Sequence, residues 1–489
     1  MSAQYKKQHM QKKLVFGLGQ TGLSCVRFLV REGYDVAVFD TRPNPPLVET
    51  INNEFPHVEV TLQNVTESMF DNVDQIILSP GLSLESDELK IANERKIEIV
   101  GDIELFALSL NDPEKSSNAP VIAITGSNGK TTTTTLISEI FKAAGLNVET
   151  GGNIGTPVLE LLNKPTPDYY ILELSSFQLE TTRHLRPAVA VVLNISADHM
   201  DRYADLNDYA NTKFSVFENA ARKVINLDDQ WLSAKLDEKS KGKKEYTEAS
   251  AIDNSIASSV ENSAGSTDKF VGFTENKPRE SDYGLLKSDE DSTVWIAKGA
   301  EKYCDSAALK LQGRHQLMNA IAAVAVADAC HIDKTVICKV LSEFDGLEHR
   351  TQFVESIDGV NYINDSKGTN VGATLAAIKG FDTSIILLAG GDGKGADFSE
   401  LAEVVKNKVR YAILFGRDAG LIEKAISNAT SVIRAVSLEA AVVQAHELAR
   451  SGETVLLSPA CASFDMFDNY QHRGDVFMQA VRGLKNNVS

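Results

Sequence analysis

Residues Val121–Thr131 read VIAITGSNGKT: a short apolar, β-branched run, then a glycine-rich turn that ends in Gly129, Lys130 and Thr131. A run of this length bounded by glycine reads as a buried strand, and strand, glycine loop, lysine and hydroxyl residue in that order place a phosphate-binding loop at the start of a helix. Backbone N–H groups of such a loop cradle phosphates, Lys130 brings a charge to the β- and γ-phosphates, and the Thr131 hydroxyl can ligate Mg²⁺. The longer G-x-x-x-x-G-K-[ST] form needs glycine at position 124, which is Ile124, so this is the shorter variant built on Gly126 and Gly129. Gly126, Ser127, Asn128, Gly129, Lys130, Thr131 and Thr132 are the candidate ATP-binding residues of this loop.

Outward from this stretch, further short apolar runs alternate with segments of helical period: Leu14–Gly17, Val36–Asp40, Gln75–Ser79, Tyr169–Leu174 and Val189–Asn194. Strands alternating with helices mean βαβ units and largely parallel sheets, so the class is α/β. A polar, proline-flanked segment, Asn111–Pro120, and a break near Gly346 divide the chain into three domains: 1–110, Rossmann-like; 111–346, a P-loop-type ATPase domain; and 347–489. Within the second, residues 236–292 are rich in Lys, Ser and mixed charge, which buries little surface and reads as a solvated insertion. Short strands are expected there around Phe270–Phe273 and Thr293–Ala297. Replacing roughly 240–288 by a short linker is expected to leave catalysis largely intact.

The 489 residues carry 49 Lys+Arg against 67 Asp+Glu, a net charge of −18. This argues against wrapping a nucleic-acid backbone or lying on anionic lipid, both of which need a basic footprint. No apolar run approaches the roughly 18–20 residues of a membrane span, and the N-terminus lacks the apolar core of a signal peptide. A cytoplasmic protein is expected. The five cysteines lack a C-x-x-C pair, so reduced core thiols are expected rather than disulfides or zinc.

The first strand runs into Gly17, Gly19 and Gly22 in the G-x-G-x-x-G pattern, with Asp40 ending the next strand. Such glycines permit a tight turn and close approach to a diphosphate, and the acidic residue would take a ribose hydroxyl. Alone, the pattern suits a nicotinamide-dependent dehydrogenase as well as any other nucleotide binder, and helix packing on the sheet asks for the same glycines. Ser79 and Gly81 form a second turn at the same sheet edge. Further along, Glu173 closes an apolar strand where a P-loop enzyme holds a metal-binding carboxylate, and His199 follows another strand beside Asp198 and Asp201. Lys213, on its own pattern, reads as a solvated helix-face lysine.

Together these segments resemble the Mur ligases, the ATP-dependent amino-acid ligases of peptidoglycan precursor synthesis. The strings INDSKGTN (363–370), GGDGKGADF (390–398) and SPACASFDMF (458–467) are similar to those of the branch that adds D-glutamate to UDP-N-acetylmuramoyl-L-alanine. The resemblance implies a Rossmann-like C-terminal domain that binds D-glutamate through Thr369, Lys394, Ser463 and the backbone near Phe464 and Tyr470. It also implies that Gly19, Gln20, Thr21, Gly22, Asp40, Thr41, Ser79, Gly81 and Asn153 hold the UDP-substrate. Asn319, His349, Arg350, Asp365 and Lys367 would join the P-loop around ATP. Two Mg²⁺ ions would rest on Thr131, Glu173, His199 and a carbamylated Lys213, with Lys130, Glu173, His199 and Lys213 as the catalytic set. A monomer with small-molecule partners and a hinge near Gly346 is implied. Ligases for L-alanine, a diamino acid or a dipeptide, and those extending folates, are expected to show Asp-Tyr-x-His where this chain has Asp365, Ser366 and Lys367.

Overall fold

In the computed structural model, residues 11–114, 119–236, 270–289, 291–311 and 313–484 are described. They form three sheets, each wrapped by helices. The first contains β1 (Lys12–Phe16), β2 (Asp35–Asp40), β3 (Glu59–Leu62), β4 (Val73–Leu78) and β5 (Glu98–Val100), in the order β3-β2-β1-β4-β5 and all parallel. That is the order of one Rossmann half, with the switch point between β1 and β4.

The second sheet has nine strands: β6 (Val121–Thr125), β7 (Val148–Gly152), β8 (Tyr169–Glu173), β9 (Val189–Val192), β10 (Arg222–Asn226), β11 (Phe270–Phe273), β12 (Tyr283–Lys287), β13 (Val294–Lys298) and β14 (Glu301–Asp305). Their order is β14-β13-β12-β11-β10-β9-β6-β8-β7. Strands β6, β8 and β9 lie side by side and parallel, so their carboxyl ends deliver the glycine loop, Glu173 and the 194–199 segment to one edge. The helix Arg314–Ala329 is buried continuously from Asn319 to Ala327 and packs against the helix Lys130–Ala143. An apolar surface on every side is what a helix held between layers requires.

The expected strand at 270–273 is β11, and the one at 293–297 is β13, shifted by one residue. Strand β12 was not anticipated, and Phe273 and Tyr283 are both buried. Residues 237–269 and 290 of the stretch read as an insertion lie outside the described residues. Replacing 240–288 therefore does not spare the sheet: it removes β11 and β12, which join β10 to the β13–β14 hairpin. Strands β11 (FVGF) and β12 (YGLLK) are only four and five residues long, so in a composition window their apolar residues are outnumbered by the polar sequence around them.

The third sheet has six strands: β15 (Gln352–Ile357), β16 (Val360–Asn364), β17 (Ile385–Gly390), β18 (Val409–Phe415), β19 (Ser431–Arg434) and β20 (Thr454–Leu457). In the order β15-β16-β20-β17-β18-β19, it is parallel apart from the β15–β16 hairpin. Strands β17 and β20 are buried throughout, the continuous apolar reading of a sheet covered on both faces.

The cysteines are not all the reduced thiols that their spacing suggests. Cys304 on β14 and Cys338 on the helix Lys334–Glu343 form a disulfide, with Cα atoms 5.3 Å apart; Cys25, Cys330 and Cys461 are free. The partners are 34 residues apart in sequence, and only the fold of the hairpin against the helix brings them together. Among the described residues no helix is long and apolar enough to cross a membrane.

Candidate active site

Strand β6 hands over to the helix Lys130–Ala143 through Gly129, whose φ is +82°. A Cβ there would sit 2.3 Å from Oδ1 of Asn319, so both the dihedral and the space demand glycine. The loop is pinned from β9: the Asn128 backbone N–H donates to Asn194 Oδ1 (2.8 Å), and Asn194 Nδ2 donates back to the Asn128 carbonyl (3.0 Å). Lys130 Nζ donates to the carbonyls of Gly126 (2.8 Å) and Ser127 (2.9 Å). Burial pulls its amine below the ordinary lysine range, against the opposite pull of Glu173 and Asp198.

Glu173 is buried at the end of β8. Its Oε1 accepts from Asn153 Nδ2 (2.8 Å), while Oε2 is buried with no hydrogen-bond partner. A buried carboxylate oxygen left unpartnered is costly in a folded protein, roughly 1–3 kcal/mol or more, unless something absent from the protein chain meets it. Asn153, implied as a contact to the UDP-substrate, here orients Glu173, and its own backbone N–H donates to the Glu173 carbonyl (2.8 Å).

His199 occupies the left-handed region at φ +59°, in a turn where its carbonyl accepts from the N–H groups of Arg202 and Tyr203. Holding a β-carbon residue there costs about 1–3 kcal/mol, a strain that clusters at functional sites. Burial lowers the imidazole below its usual value; Asp198 opposes this, and the charges of Lys213 and Lys394 reinforce it.

Lys213 is not the solvated residue its helical position suggests. Only 2% exposed, it lies with Nζ 4.6 Å from the centroid of the Tyr209 ring. Burial first, and then the charge of Lys130, push its amine well below the usual lysine range, with Asp198 and Glu173 acting the other way.

The third domain closes this edge. Arg350 Nη2 donates to Thr131 Oγ1 (2.6 Å), and Asn370 Nδ2 donates to Asp198 Oδ2 (3.1 Å) and more distantly to Asn128 Oδ1 (3.4 Å). Between the domains lies a cavity of about 250 Å³ whose walls include Asn128, Gly129, Thr132, Asn319, Arg350, Asp365 and Lys367, with Phe273 of β11 at its side. Lys367 is drawn down to about 8 by burial and then by Arg350, and its Nζ stands 4.1 Å over the Tyr470 ring. His349 does not reach the cavity: it is buried in its own domain, where Nδ1 meets Asn364 Nδ2 (3.0 Å) and its carbonyl accepts from the Lys367 N–H (3.0 Å). Ser463 is buried and Phe464 exposed; Tyr470 receives the Ser366 hydroxyl on its carbonyl.

Asp365 lines the cavity with both oxygens engaged, by Ser458 Oγ (2.8 Å) and by the Thr351 N–H (3.1 Å). Burial nevertheless pushes its carboxyl up from 3.8 to about 7. A folded-state value above the unfolded one means the stability it lends is full below about pH 4 and lost as pH rises through 7. Asp365→Asn should therefore raise the unfolding free energy at pH 8 by up to about 4 kcal/mol and change it little at pH 4. Denaturant unfolding at the two pH values reads this directly; equal effects at both would show that the carboxylate is fully compensated.

In the first domain, Gly22 must be glycine because a Cβ would lie 1.9 Å from the Gly17 carbonyl oxygen. Ser79 Oγ donates to that same carbonyl (3.0 Å), tying the second turn to the first, while Gly19, Gln20, Thr21 and Gly81 rim the open edge. Thr41 follows the end of β2 beside them. Asp40 is buried, with Oδ2 accepting from the Leu18 N–H (2.6 Å) and both oxygens held by the Arg42 guanidinium (2.7 and 2.9 Å). Burial would raise this carboxyl, but those hydrogen bonds bring it below the ordinary value.

Two site residues escaped the sequence reading although signals were present. Asn370 stands immediately before a helix as its N-cap, accepting from Ala373 N–H, and such an asparagine was visible as a helix start. Arg473 sits on the apolar stripe of the helix Tyr470–Leu484 with Phe477, Met478 and Val481, a misplaced charge in the pattern. Fully buried, it holds the Ser366 hydroxyl (3.0 Å), the Ser366 carbonyl (2.7 Å) and the Cys461 carbonyl (3.1 Å), and so braces the loop carrying Asp365 and Lys367.

Three family descriptions match the chain in succession: the MurD-like N-terminal domain of Mur ligases over residues 11–101, the Mur ligase middle domain over 124–327, and the Mur ligase glutamate ligase domain over 349–461. The chain is 44% identical over 474 residues to UDP-N-acetylmuramoylalanine–D-glutamate ligase of Methylobacillus flagellatus, covering 96% of this chain and 97% of the relative. It is 43% identical to the protein of that name from Legionella pneumophila (strain Paris), covering 96% and 99%. Among solved structures, the MurF ligase from Thermotoga maritima in complex with ADP is similar with a TM-score of 0.56 at 16% identity, covering 99% of this chain and 97% of that one. A pseudomurein peptide ligase type C from Methanothermus fervidus gives 0.55 at 19% identity, covering 97% and 100%. At these identities the two structures speak for the fold alone.

Proposed function

This chain belongs to the Mur ligase family, and from that premise we propose that it joins D-glutamate to UDP-N-acetylmuramoyl-L-alanine at the expense of ATP, in peptidoglycan precursor synthesis. The observation that carries the reading is the cavity in which Asn128, Gly129 and Thr132 at the glycine loop of β6 face Arg350, Asp365 and Lys367 of the third domain. Three domains then serve three substrates, the UDP-substrate on the first, ATP on the second and D-glutamate on the third, and the protein works as a cytoplasmic monomer.

A carboxylate is a poor acylating agent because oxide is a hopeless leaving group at neutral pH. The L-alanyl carboxylate attacks the γ-phosphorus of ATP, the bond to the β-phosphate oxygen breaks, and ADP leaves an acyl phosphate behind. The D-glutamate amine then attacks the acyl carbonyl and phosphate departs. Backbone N–H groups of Gly126–Thr131 hold the phosphates, and Lys130 turns from its own loop carbonyls toward them. Arg350, already at Thr131, adds a second cation from the opposite wall. Asp365 receives the ribose, with Asn319 beside it. Thr369, Lys394 and Ser463, with the backbone at Phe464 and Tyr470, hold the D-glutamate carboxylates, and closure by Arg350 and Asn370 keeps water from the acyl phosphate.

The unpartnered Oε2 of Glu173 fits a cation, and burial pushes the Lys213 amine toward the neutral form that carbamylation by CO₂ requires. Thr131, Glu173, His199 and the carbamate of Lys213 would hold two Mg²⁺ ions, which neutralise the triphosphate and the reacting carboxylate. ADP release measured with UDP-N-acetylmuramoyl-L-alanine should require D-glutamate. Turnover with L-alanine or a diamino acid in its place, and none with D-glutamate, would sink the assignment.

A further inference from the structure

We propose that Arg202 is a positioning residue that clamps the substrate turn of the first domain to the His199 segment of the second, and so sets the span the UDP-substrate must bridge. The inference rests on the ligase reading above. Arg202 follows His199 by three residues and donates its backbone N–H to the His199 carbonyl (2.9 Å). Its side chain crosses to the first domain, where Nη1 donates to the Pro80 carbonyl (3.0 Å) and Nη2 to the Leu82 carbonyl (2.9 Å). These carbonyls flank Gly81 in the turn assigned to the diphosphate.

The same guanidinium is fixed from behind. Nε and Nη2 form a fork on Glu180 (3.2 and 2.5 Å), and the group lies 4.1 Å from the centroid of the Phe177 ring. Phe177 in turn packs on the His199 imidazole, with centroids 4.7 Å apart. Tyr203 donates its hydroxyl to Glu180 (2.5 Å) and packs on Tyr209, whose hydroxyl meets Ser127 Oγ of the glycine loop (3.1 Å). One contiguous set of contacts thus links the substrate turn to both His199 and the phosphate loop.

An exposed ion pair would contribute little, but Arg202 and Glu180 are only 11% and 12% exposed and the contact is two-pronged. Lysine cannot reproduce it, since a single ammonium does not span two carbonyls and a carboxylate in one plane. The substrate has its diphosphate on one domain and its reacting carboxylate on the other, so a change in their separation is felt as lost binding. The two domains are also joined elsewhere, at Asp102 with Gln178 and at Glu104 with the N–H groups of Arg183 and His184. Removing the clamp therefore leaves the fold standing.

The test compares Arg202→Met and Arg202→Lys with the wild type in ADP release, varying the three substrates one at a time, and measures binding of UDP-N-acetylmuramoyl-L-alanine by calorimetry. KM and Kd for the UDP-substrate should rise about tenfold or more in Arg202→Met and less in Arg202→Lys, while KM for ATP stays within about twofold. A drop in kcat that matches the folded fraction, with all three KM values unchanged, overturns the clamp. A wild type that neither binds nor turns over the UDP-substrate overturns the ligase reading, and this inference with it.

Discussion

Lys213→Ala should lower ADP release by about 10³-fold or more, and millimolar formate or acetate should restore part of it. The native amine is buried, and burial holds it well below the ordinary lysine range, which favours the neutral form that adds CO₂ with loss of a proton. The product is an anion where an ammonium would repel both Lys130 and any metal. Alanine opens a space in which a small carboxylate supplies the same charge. Wild-type protein equilibrated with ¹³C-bicarbonate should show a carbamate carbon signal that Lys213→Ala lacks. Full activity in the alanine variant would refute the carbamate role.

Glu173→Gln should be nearly as damaging, for a different reason. The substitution keeps the shape and the Asn153 contact but removes the charge of the unpartnered oxygen. Turnover is expected to fall by about 10²–10³-fold at every Mg²⁺ concentration, with the thermal midpoint nearly unchanged. Nucleotide titration separates the causes: in EDTA both proteins should bind ATP alike through the glycine loop, and Mg²⁺ should tighten binding only in the wild type. Equal Mg²⁺ enhancement in both would show that Glu173 holds no metal.

Much of this site is legible in one dimension because its parts are local. Gly129 needs a left-handed dihedral, Lys130 and Thr131 follow it on one helical turn, and Glu173 ends an apolar strand; each is a statement about adjacent residues. The α/β class followed from the same short-range periodicities. Contacts between protein side chains at the same sites were not legible in that way. Asp40 is held by Arg42 and the Leu18 N–H, and Asn153 faces Glu173. Lys213 looked solvated because a helical pattern shows which residues share a face and not what later packs over that face.

The phosphate loop and the alternation of strands with helices were written in the residues alone, since dihedral preference and hydrophobic period act within a few residues. Only the tertiary structure decided that Arg202 reaches Pro80 and Leu82, that Arg350 meets Thr131, and that Cys304 bonds Cys338. Those contacts join residues 34 to 219 positions apart, and their partners are set by strand order and domain closure. No short-range rule encodes which loop will lie opposite a given side chain once three sheets have packed.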